Sequence, residues 1–218
     1  MIFDRSLRTR DYRLSQLIAA IRASLENDWQ PYEHIEQLHK YWTDTESRPR
    51  RNYRSHAMYT ALKSEGAIFE CGSGLTTLLL GLAAEKSGTP VMALEHDPSR
   101  HQRIVEMLET NHIHTVDMRH APLVPDHEYL RYDISGITLP ERIQLIVLGI
   151  SPQTWSSSAR DGMVPLLQSR MGSCGKILVG GYRVKRAPPS TGERTQSVQQ
   201  HAVIFGRMSR PAEINGKN

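Results

Sequence analysis

Two carboxylates and a glycine turn are the residues of this chain whose types and spacing point most directly to chemistry. Gly72 and Gly74 flank Ser73 just after an apolar segment that ends in Glu70, and the next apolar segment ends in Glu95. Glycines permit positive φ and let the backbone approach a ligand closely, and a helix that begins after such a turn directs free N–H groups toward it. An acid about 20 residues downstream can accept hydrogen bonds from ribose hydroxyls. The pattern therefore predicts a site for an adenosine-containing ligand.

The first carboxylate indicates which adenosine ligand to expect. The full dinucleotide fingerprint needs a third glycine, and this chain has Thr77 at that position. A carboxylate at Glu70 would repel a pyrophosphate, whereas it suits the positively charged ammonium of an amino-acid group. We therefore predict that the site binds S-adenosylmethionine rather than a nicotinamide or flavin dinucleotide. Thr76, where the following helix opens, is included among the predicted cofactor-binding residues.

Alternating apolar and amphipathic segments must position these residues. The most apolar segment, 143–148, suits a central parallel strand that is buried on both faces. Strands that alternate with helices predict an α/β fold with a doubly wound, mostly parallel sheet. Strands are predicted at 67–70, 91–95, 116–118, 143–148, 176–179 and 201–207, and helices at 76–86, from Pro98 onward, and at 164–171, with a turn at 172–175.

The N-terminal part has a helical pattern of its own. Apolar residues recur at helix spacing from Leu14 to Leu25, Pro31 breaks the pattern, and Ile35, Leu38 and Trp42 mark a second helix. A third helix is predicted at 55–63. We accordingly divide the chain into an N-terminal helical extension and linker at 1–54, a Rossmann-like S-adenosylmethionine-binding domain at 55–208 and a flexible tail at 209–218.

Composition bounds the class of protein. The 218 residues carry a formal net charge of +4, an apolar fraction of 39% and two cysteines. This apolar fraction suffices for a packed core, and two distant cysteines form neither a disulfide framework nor a zinc pattern. Residues 1–13 lack the apolar core of a secretory signal, and no window approaches the roughly 18 apolar residues of a membrane span. We therefore expect a cytoplasmic protein with no membrane partner.

The densest positive charge lies in the segment Arg48-Pro-Arg-Arg-Asn-Tyr-Arg54. Two interpretations stay open: contact with the phosphates of a nucleic acid, or a solvated linker in front of the main domain. Acids are scattered through the rest of the chain, and no basic or aromatic series continues the cluster, which favours the linker.

Three motifs resemble those of the class I S-adenosylmethionine-dependent methyltransferases. They are Glu70-Cys-Gly-Ser-Gly-Leu-Thr-Thr77, Leu94-Glu-His-Asp-Pro98 and His120-Ala-Pro-Leu123. The resemblance spans residues 55–207 and implies a Rossmann-like fold that binds S-adenosylmethionine and transfers its methyl group. It also assigns parts of the cofactor to residues: the methionine end to Glu70, Gly72, Ser73 and Gly74, the ribose to Glu95, and the adenine to His96, His120 and Ala121. A local hydrogen bond at a strand end is an equally open role for His120.

The chain departs from this family at two strand ends. Gly149 stands where the family has an aspartate, and Gly180 and Gly181 stand where it often has acids. Acids at these places could ligate a divalent metal or act as a base, and glycine can do neither. We therefore expect no metal and assign no catalytic residue. His112 and His114 alternate as metal ligands do, but no third ligand accompanies them.

Three functions remain open at this stage. The first is a metal-independent methyltransferase that acts on an unidentified acceptor, since the cofactor carries the reactive group and positioning can supply much of the rate. The second is a methyltransferase-like scaffold or partner subunit without catalysis, which the glycines at 149, 180 and 181 suggest. The third is binding or modification of nucleic acid. The sequence leaves open the oligomeric state and any partner protein.

Overall fold

A computed structural model describes residues 5–42, 53–126, 129–149, 156–179 and 203–205. The described helices are α1 (Arg5–Glu26), α2 (Tyr32–Tyr41), α3 (Tyr53–Leu62), α4 (Leu75–Ser87), α5 (Pro98–Thr110) and α6 (Ser156–Gln168). The described strands are β1 (Ala67–Cys71), β2 (Val91–Glu95), β3 (Val116–His120), β4 (Leu123–Asp126), β5 (Tyr129–Tyr132), β6 (Ile143–Leu148), β7 (Met171–Val179) and β8 (Val203–Phe205).

Six of the described strands form one sheet in the order β3-β2-β1-β6-β7-β8. The first five run parallel, and β8 is antiparallel to β7. Strand order reverses between β1 and β6, which makes their carboxyl ends the switch point where ligands bind in open α/β sheets. This confirms the predicted doubly wound, mostly parallel sheet with helices before it in the chain.

Helices and strands cover the two faces of the sheet with different partners. On one face, α1 to α5 pack against inward side chains that include Ile68, Leu145, Val147 and Leu178. On the other face, α6 and the β4–β5 hairpin cover Phe69, Leu94, Ile146 and Ile177. Central strands buried on both faces explain why 143–148 is almost continuously apolar.

The N-terminal helices belong to the layer that covers the first of these two faces. α1 buries Leu14, Ile18, Ile21 and Leu25 at the helical spacing that its sequence predicts. Arg22 of α1 donates to both carboxylate oxygens of Glu85 on α4, at 2.9 and 3.2 Å, and to the carbonyl of Asn111 at 2.8 Å. None of the described helices is long and apolar enough to cross a membrane.

The structure corrects several predicted bounds. Residues 172–175, predicted as a turn, lie within β7, although the β6–β7 register shifts between Ile143 and Leu145 at this point. The helix predicted at 164–171 begins earlier and ends at Gln168, and α3 begins at Tyr53 rather than residue 55. The division into domains stays a prediction, and the tail at 209–218 lies outside the described residues.

The β4–β5 hairpin was not predicted. Its strands are only four residues each, and Pro125 stands inside the first, paired with Leu130. Proline has no backbone N–H to donate to a neighbouring strand, so a proline in the sequence argues against predicting a strand there. The hairpin follows β3 and leads to β6, so it lies beside the carboxyl ends of the sheet.

Substitution of Gly81 tests how closely α4 packs against the start of β3 and the residues before it. A Cβ added there would lie 2.5 Å from Ile113 Cγ2 and 2.9 Å from Val116 Cγ2. Both atoms are methyl groups of β-branched side chains, which have little freedom to move. We expect Gly81→Ala to lower the free energy of unfolding by about 1 kcal/mol, because overpacking costs more than the gain in helix propensity. Urea denaturation measures the change. The control is Lys86→Ala at an exposed position of the same helix, which should change the free energy of unfolding by no more than about 0.5 kcal/mol. Unchanged or increased stability of Gly81→Ala would contradict the prediction.

Candidate cofactor site

The predicted site residues converge at the carboxyl ends of β1 and β2. These strands pair in parallel, so Glu70 lies opposite Ala93, and the amide of Gly72 donates to the carbonyl of Leu94 at 2.9 Å. Gly72 has φ +88°, a backbone conformation that favours glycine over any residue with a Cβ. The glycine turn therefore follows β1 in the conformation that its composition predicts.

Thr77, which replaces the third glycine of the dinucleotide fingerprint, connects the turn to Glu70. Its hydroxyl donates to Glu70 Oε2 at 2.7 Å and accepts from the amide of Gly74 at 2.9 Å. Both the Glu70 and the Thr77 side chains are fully buried. The threonine thus has a specific role, because it fixes the start of α4 and one oxygen of the carboxyl group beneath the turn.

The other oxygen of Glu70 has a different environment. Glu70 Oε1 is buried and makes no hydrogen bond to any residue that the structure describes. Burial raises the pKa of Glu70 to about 8, with a further upward contribution from the Glu95 charge, although the hydrogen bond from Thr77 opposes both. An unpartnered buried oxygen costs free energy unless a ligand satisfies it. The site therefore contains a buried carboxyl oxygen without a partner among the described residues, at the end of the strand that leads into the glycine turn.

Glu95 is a second buried carboxylate, but it is fully hydrogen-bonded. Its Oε2 accepts from the amide of Ser73 at 3.0 Å and from the Ser73 hydroxyl at 2.7 Å. Its Oε1 accepts from the amides of His96 and Asp97, at 2.9 and 3.0 Å, and lies 3.1 Å from His96 Nδ1. Burial opposes the charged form, yet the hydrogen bonds from His96, Asp97 and Ser73 outweigh it and lower the pKa of Glu95 to about 2. Glu95 is therefore an anion throughout the physiological pH range.

The histidines predicted beside adenine lie at the ends of β2 and β3. His120 Nε2 is 3.1 Å from the carbonyl oxygen of His96, and its ring centroid lies 5.7 Å from that of His101. His120 is exposed and His96 is half-buried. This contact matches the local hydrogen bond considered for His120 and leaves its predicted role beside adenine untested.

Two of the predicted cofactor residues are already covered by protein. Ala121 is fully buried, and its amide donates to the carbonyl of Glu95 at 2.8 Å. Thr76 lies in the first turn of α4 with a buried side chain. Gly74, by contrast, borders open space. The open part of the site therefore lies over the turn itself, between Gly72 and Gly74.

Two tyrosines that the sequence did not indicate lie beside this turn. Tyr132 of β5 is buried, its ring packs edge-on against His96 with centroids 6.2 Å apart, and its hydroxyl would lie 3.5 Å from a Cβ on Gly72. Tyr53 of α3 is also buried and donates to the carbonyl of Leu148 at 3.0 Å. The sequence does not indicate either tyrosine, because Tyr132 depends on the unpredicted hairpin and Tyr53 lies within the arginine-rich segment 48–54.

Gly149, where the resemblance leads one to expect an aspartate, is in close contact with the glycine turn. Its amide donates to the carbonyl of Cys71 at 2.9 Å, and an added Cβ would lie 2.9 Å from the carbonyl oxygen of Gly72 and 3.1 Å from that of Cys71. Both contacts are to backbone, which cannot move away cheaply. Packing therefore requires glycine at this position, and glycine has no carboxylate.

The remaining predicted features are less central. His112 and His114 have ring centroids 6.3 Å apart, and the described residues contain no group of three side chains suited to a metal ion. Gly180 and Gly181 lie outside the described residues, as do Arg48, Arg50 and Arg51. Arg54 is buried in α3 and contacts the ring of His39, so it does not belong to a solvated linker.

Comparison with known proteins gives fold neighbours only. The chain matches no protein-family model. It also matches no curated protein sequence. Among solved structures, an RNA methyltransferase from Salinibacter ruber bound to S-adenosyl-L-homocysteine is 14% identical, with a TM-score of 0.49 over 78% of this chain and 99% of that one. A precorrin-6y C5,15-methyltransferase from Geobacter metallireducens is 15% identical, with a TM-score of 0.45 over 65% and 71% of the two chains. These similarities are too low to assign an activity.

The unusual environment of Glu70 predicts a pH dependence of stability. Its pKa is about 8 in the folded protein and near 4.5 when solvated, so folding takes up a proton between these values. The stability linked to this proton is fully present below pH about 4.5 and is lost as the pH rises through about 8. We expect stability to fall by up to about 1.4 kcal/mol per pH unit within this window, and Glu70→Gln to remove that slope.

Urea denaturation at several pH values measures this slope. Glu65→Gln is the control, because Glu65 is an exposed acid just before β1 and its substitution should leave the wild-type slope unchanged. Identical pH profiles for Glu70→Gln and the wild type would show that Glu70 does not hold the proton.

Proposed function

We propose that this protein is an S-adenosylmethionine-dependent methyltransferase whose cofactor lies over the glycine turn between Glu70 and Glu95. The observation that carries the proposal is the buried, unpartnered Oε1 of Glu70 below that turn. A cation placed there would pair with the carboxylate form of Glu70, satisfy Oε1 and relieve the cost of burial. The α-ammonium group of the methionine moiety is such a cation.

The second carboxylate supports the adenosine half of the ligand. Glu95 ends β2 one strand away from Glu70, remains ionised, and can accept strong hydrogen bonds from neutral hydroxyls. A cation near Glu70 and a diol near Glu95 are the two polar ends of an adenosyl amino acid. We propose that His96 and His120 border the adenine, and that Gly74 permits close approach because its position is open.

Methyl transfer needs little chemistry from the chain itself. When bound, S-adenosylmethionine supplies an electrophilic methyl group on a sulfonium, and the protein contributes by positioning and by excluding water. Gly149 has no side chain with which to ligate a metal or accept a proton, so we propose metal-independent transfer to an acceptor of unknown identity. The Tyr132 hydroxyl would lie 3.5 Å from a Cβ on Gly72, and the Tyr53 hydroxyl donates to the carbonyl of Leu148 at the end of β6.

A second candidate is a protein that binds the cofactor without transferring its methyl group. The observation that favours it is the tight contact between Gly149 and the carbonyl oxygens of the glycine turn, which leaves no space for a catalytic side chain at the end of β6. Incubation with radiolabelled S-adenosylmethionine and mixed small-molecule, protein and RNA acceptors separates the two candidates. A single saturable labelled product supports the methyltransferase, whereas binding without any product supports the scaffold.

The proposed cofactor can be tested directly by calorimetry. We expect S-adenosylhomocysteine to bind protein that has been stripped of endogenous ligand. Glu95→Ala should weaken this binding roughly 100-fold, because a hydrogen bond from the ligand to a charged acceptor is lost. Glu106→Gln, an exposed acid on α5, is the matched control and should bind as the wild type does. Circular dichroism establishes that each variant is folded. Absence of binding to the wild type at millimolar ligand would refute the proposal.

Placement of the ammonium group at Glu70 predicts proton release when the ligand binds. Glu70 is largely protonated at neutral pH because its pKa is about 8, and an adjacent cation favours the carboxylate. Calorimetry in buffers of different ionisation enthalpy should therefore report about one proton released per ligand at neutral pH, decreasing as the pH rises through about 8. Glu70→Gln should abolish the release. If the wild type binds the ligand without exchanging protons, the ammonium group lies elsewhere.

A further inference from the structure

The carboxylate of Glu95 has no unused acceptor position in this structure. A carboxylate offers about four lone-pair sites. The amides of His96 and Asp97 fill Oε1, and the amide and hydroxyl of Ser73 fill Oε2. The residue that should accept from ribose is therefore saturated by protein donors, and one of these donors must leave before a ribose hydroxyl can bind.

The donors differ in how readily they can leave. The amides of His96 and Asp97 are fixed by the start of α5, where Asp97 caps the helix by accepting from the amide of Arg100 at 2.7 Å. The amide of Ser73 is part of the glycine turn. The His96 ring is held against Tyr132. The Ser73 hydroxyl, in contrast, turns on a single bond, and its residue is only partly buried.

We propose that the Ser73 hydroxyl is an internal substitute for a ribose hydroxyl. It occupies Glu95 Oε2 while the site is empty and is exchanged for the ligand when the cofactor binds. This inference rests on the proposed cofactor and adds a positioning residue to it. The exchange keeps Glu95 charged and correctly oriented in the empty site, and it lowers the affinity for every ligand that needs the same oxygen.

The proposal predicts an effect opposite in sign to that of an ordinary contact residue. Ser73→Ala leaves Oε2 with one acceptor position free, so S-adenosylhomocysteine should bind roughly tenfold more tightly than to the wild type. The affinity for 5′-methylthioadenosine, which keeps the ribose but lacks the amino-acid group, should increase by a similar factor. Without ligand, Ser73→Ala should have a lower melting temperature than the wild type, since a hydrogen bond to a charged group is lost.

Two further variants make the test specific. Ser135→Ala removes a similar hydrogen bond, which the Ser135 hydroxyl donates to Asp133 Oδ1 at 2.6 Å in an exposed turn. This variant should bind both ligands with the affinity of the wild type. In the double variant with Glu95→Gln, the gain from Ser73→Ala should disappear, because the two residues act through the same oxygen.

The outcomes distinguish this inference from the proposed function. Tighter binding by Ser73→Ala that depends on Glu95 supports the exchange. Weaker or equal binding by Ser73→Ala, together with normal binding by the wild type, would overturn the exchange and leave the cofactor assignment intact. Absence of binding by both the wild type and Ser73→Ala would instead remove the cofactor assignment itself.

Discussion

Burial of the Glu70 side chain at the end of β1 is the constraint on which the rest of the site depends. A carboxyl group in this position must be protonated, hydrogen-bonded or matched by a cation, because an isolated buried charge is costly. Thr77 satisfies one oxygen and, through the same hydroxyl, accepts from the amide of Gly74. The end of the first strand, the glycine turn and the start of α4 are therefore held together by one buried polar network.

The two carboxylates of the site have opposite electrostatic environments although their strands are neighbours. Glu70 has one unpartnered oxygen and a pKa raised to about 8. Glu95 receives four hydrogen bonds and has a pKa lowered to about 2. Environments that separate the pKa values of two similar groups commonly give them separate roles. Here Glu70 would lose its proton when it pairs with a cationic end of a ligand, whereas Glu95 is already an anion that can accept from hydroxyl groups.

The carboxyl end of β6 limits what chemistry can occur beside this network. Gly149 packs so closely on the carbonyl oxygens of Cys71 and Gly72 that even a methyl group would require backbone movement. The backbone therefore leaves no space for an acidic side chain at position 149. The β4–β5 hairpin brings the ring of Tyr132 against His96 and its hydroxyl near Gly72, so an aromatic residue borders the turn on that side.

The sequence by itself determined the alternation of strands and helices, the parallel sheet and the convergence of Glu70, Glu95 and the glycine turn. Each of these follows from local pattern: apolar segments of strand length, glycines after a strand and an acid at the end of the next one. The sequence also identified the amphipathic α1 and α2 correctly, since their apolar residues recur at helix spacing.

Only the tertiary structure decided which atoms of these residues are available. Whether an oxygen is orphaned, as in Glu70, or saturated, as in Glu95, depends on donors from Thr77 and from Ser73, His96 and Asp97, whose side-chain orientations no local pattern encodes. The same is true of Tyr132, which reaches the site on a short hairpin that contains proline, and of Gly149, whose closeness to Gly72 arises from pairing between strands that are far apart in sequence. Spacing along the chain fixes which residue types meet at a sheet edge, whereas long-range packing fixes their hydrogen bonds, burial and charge.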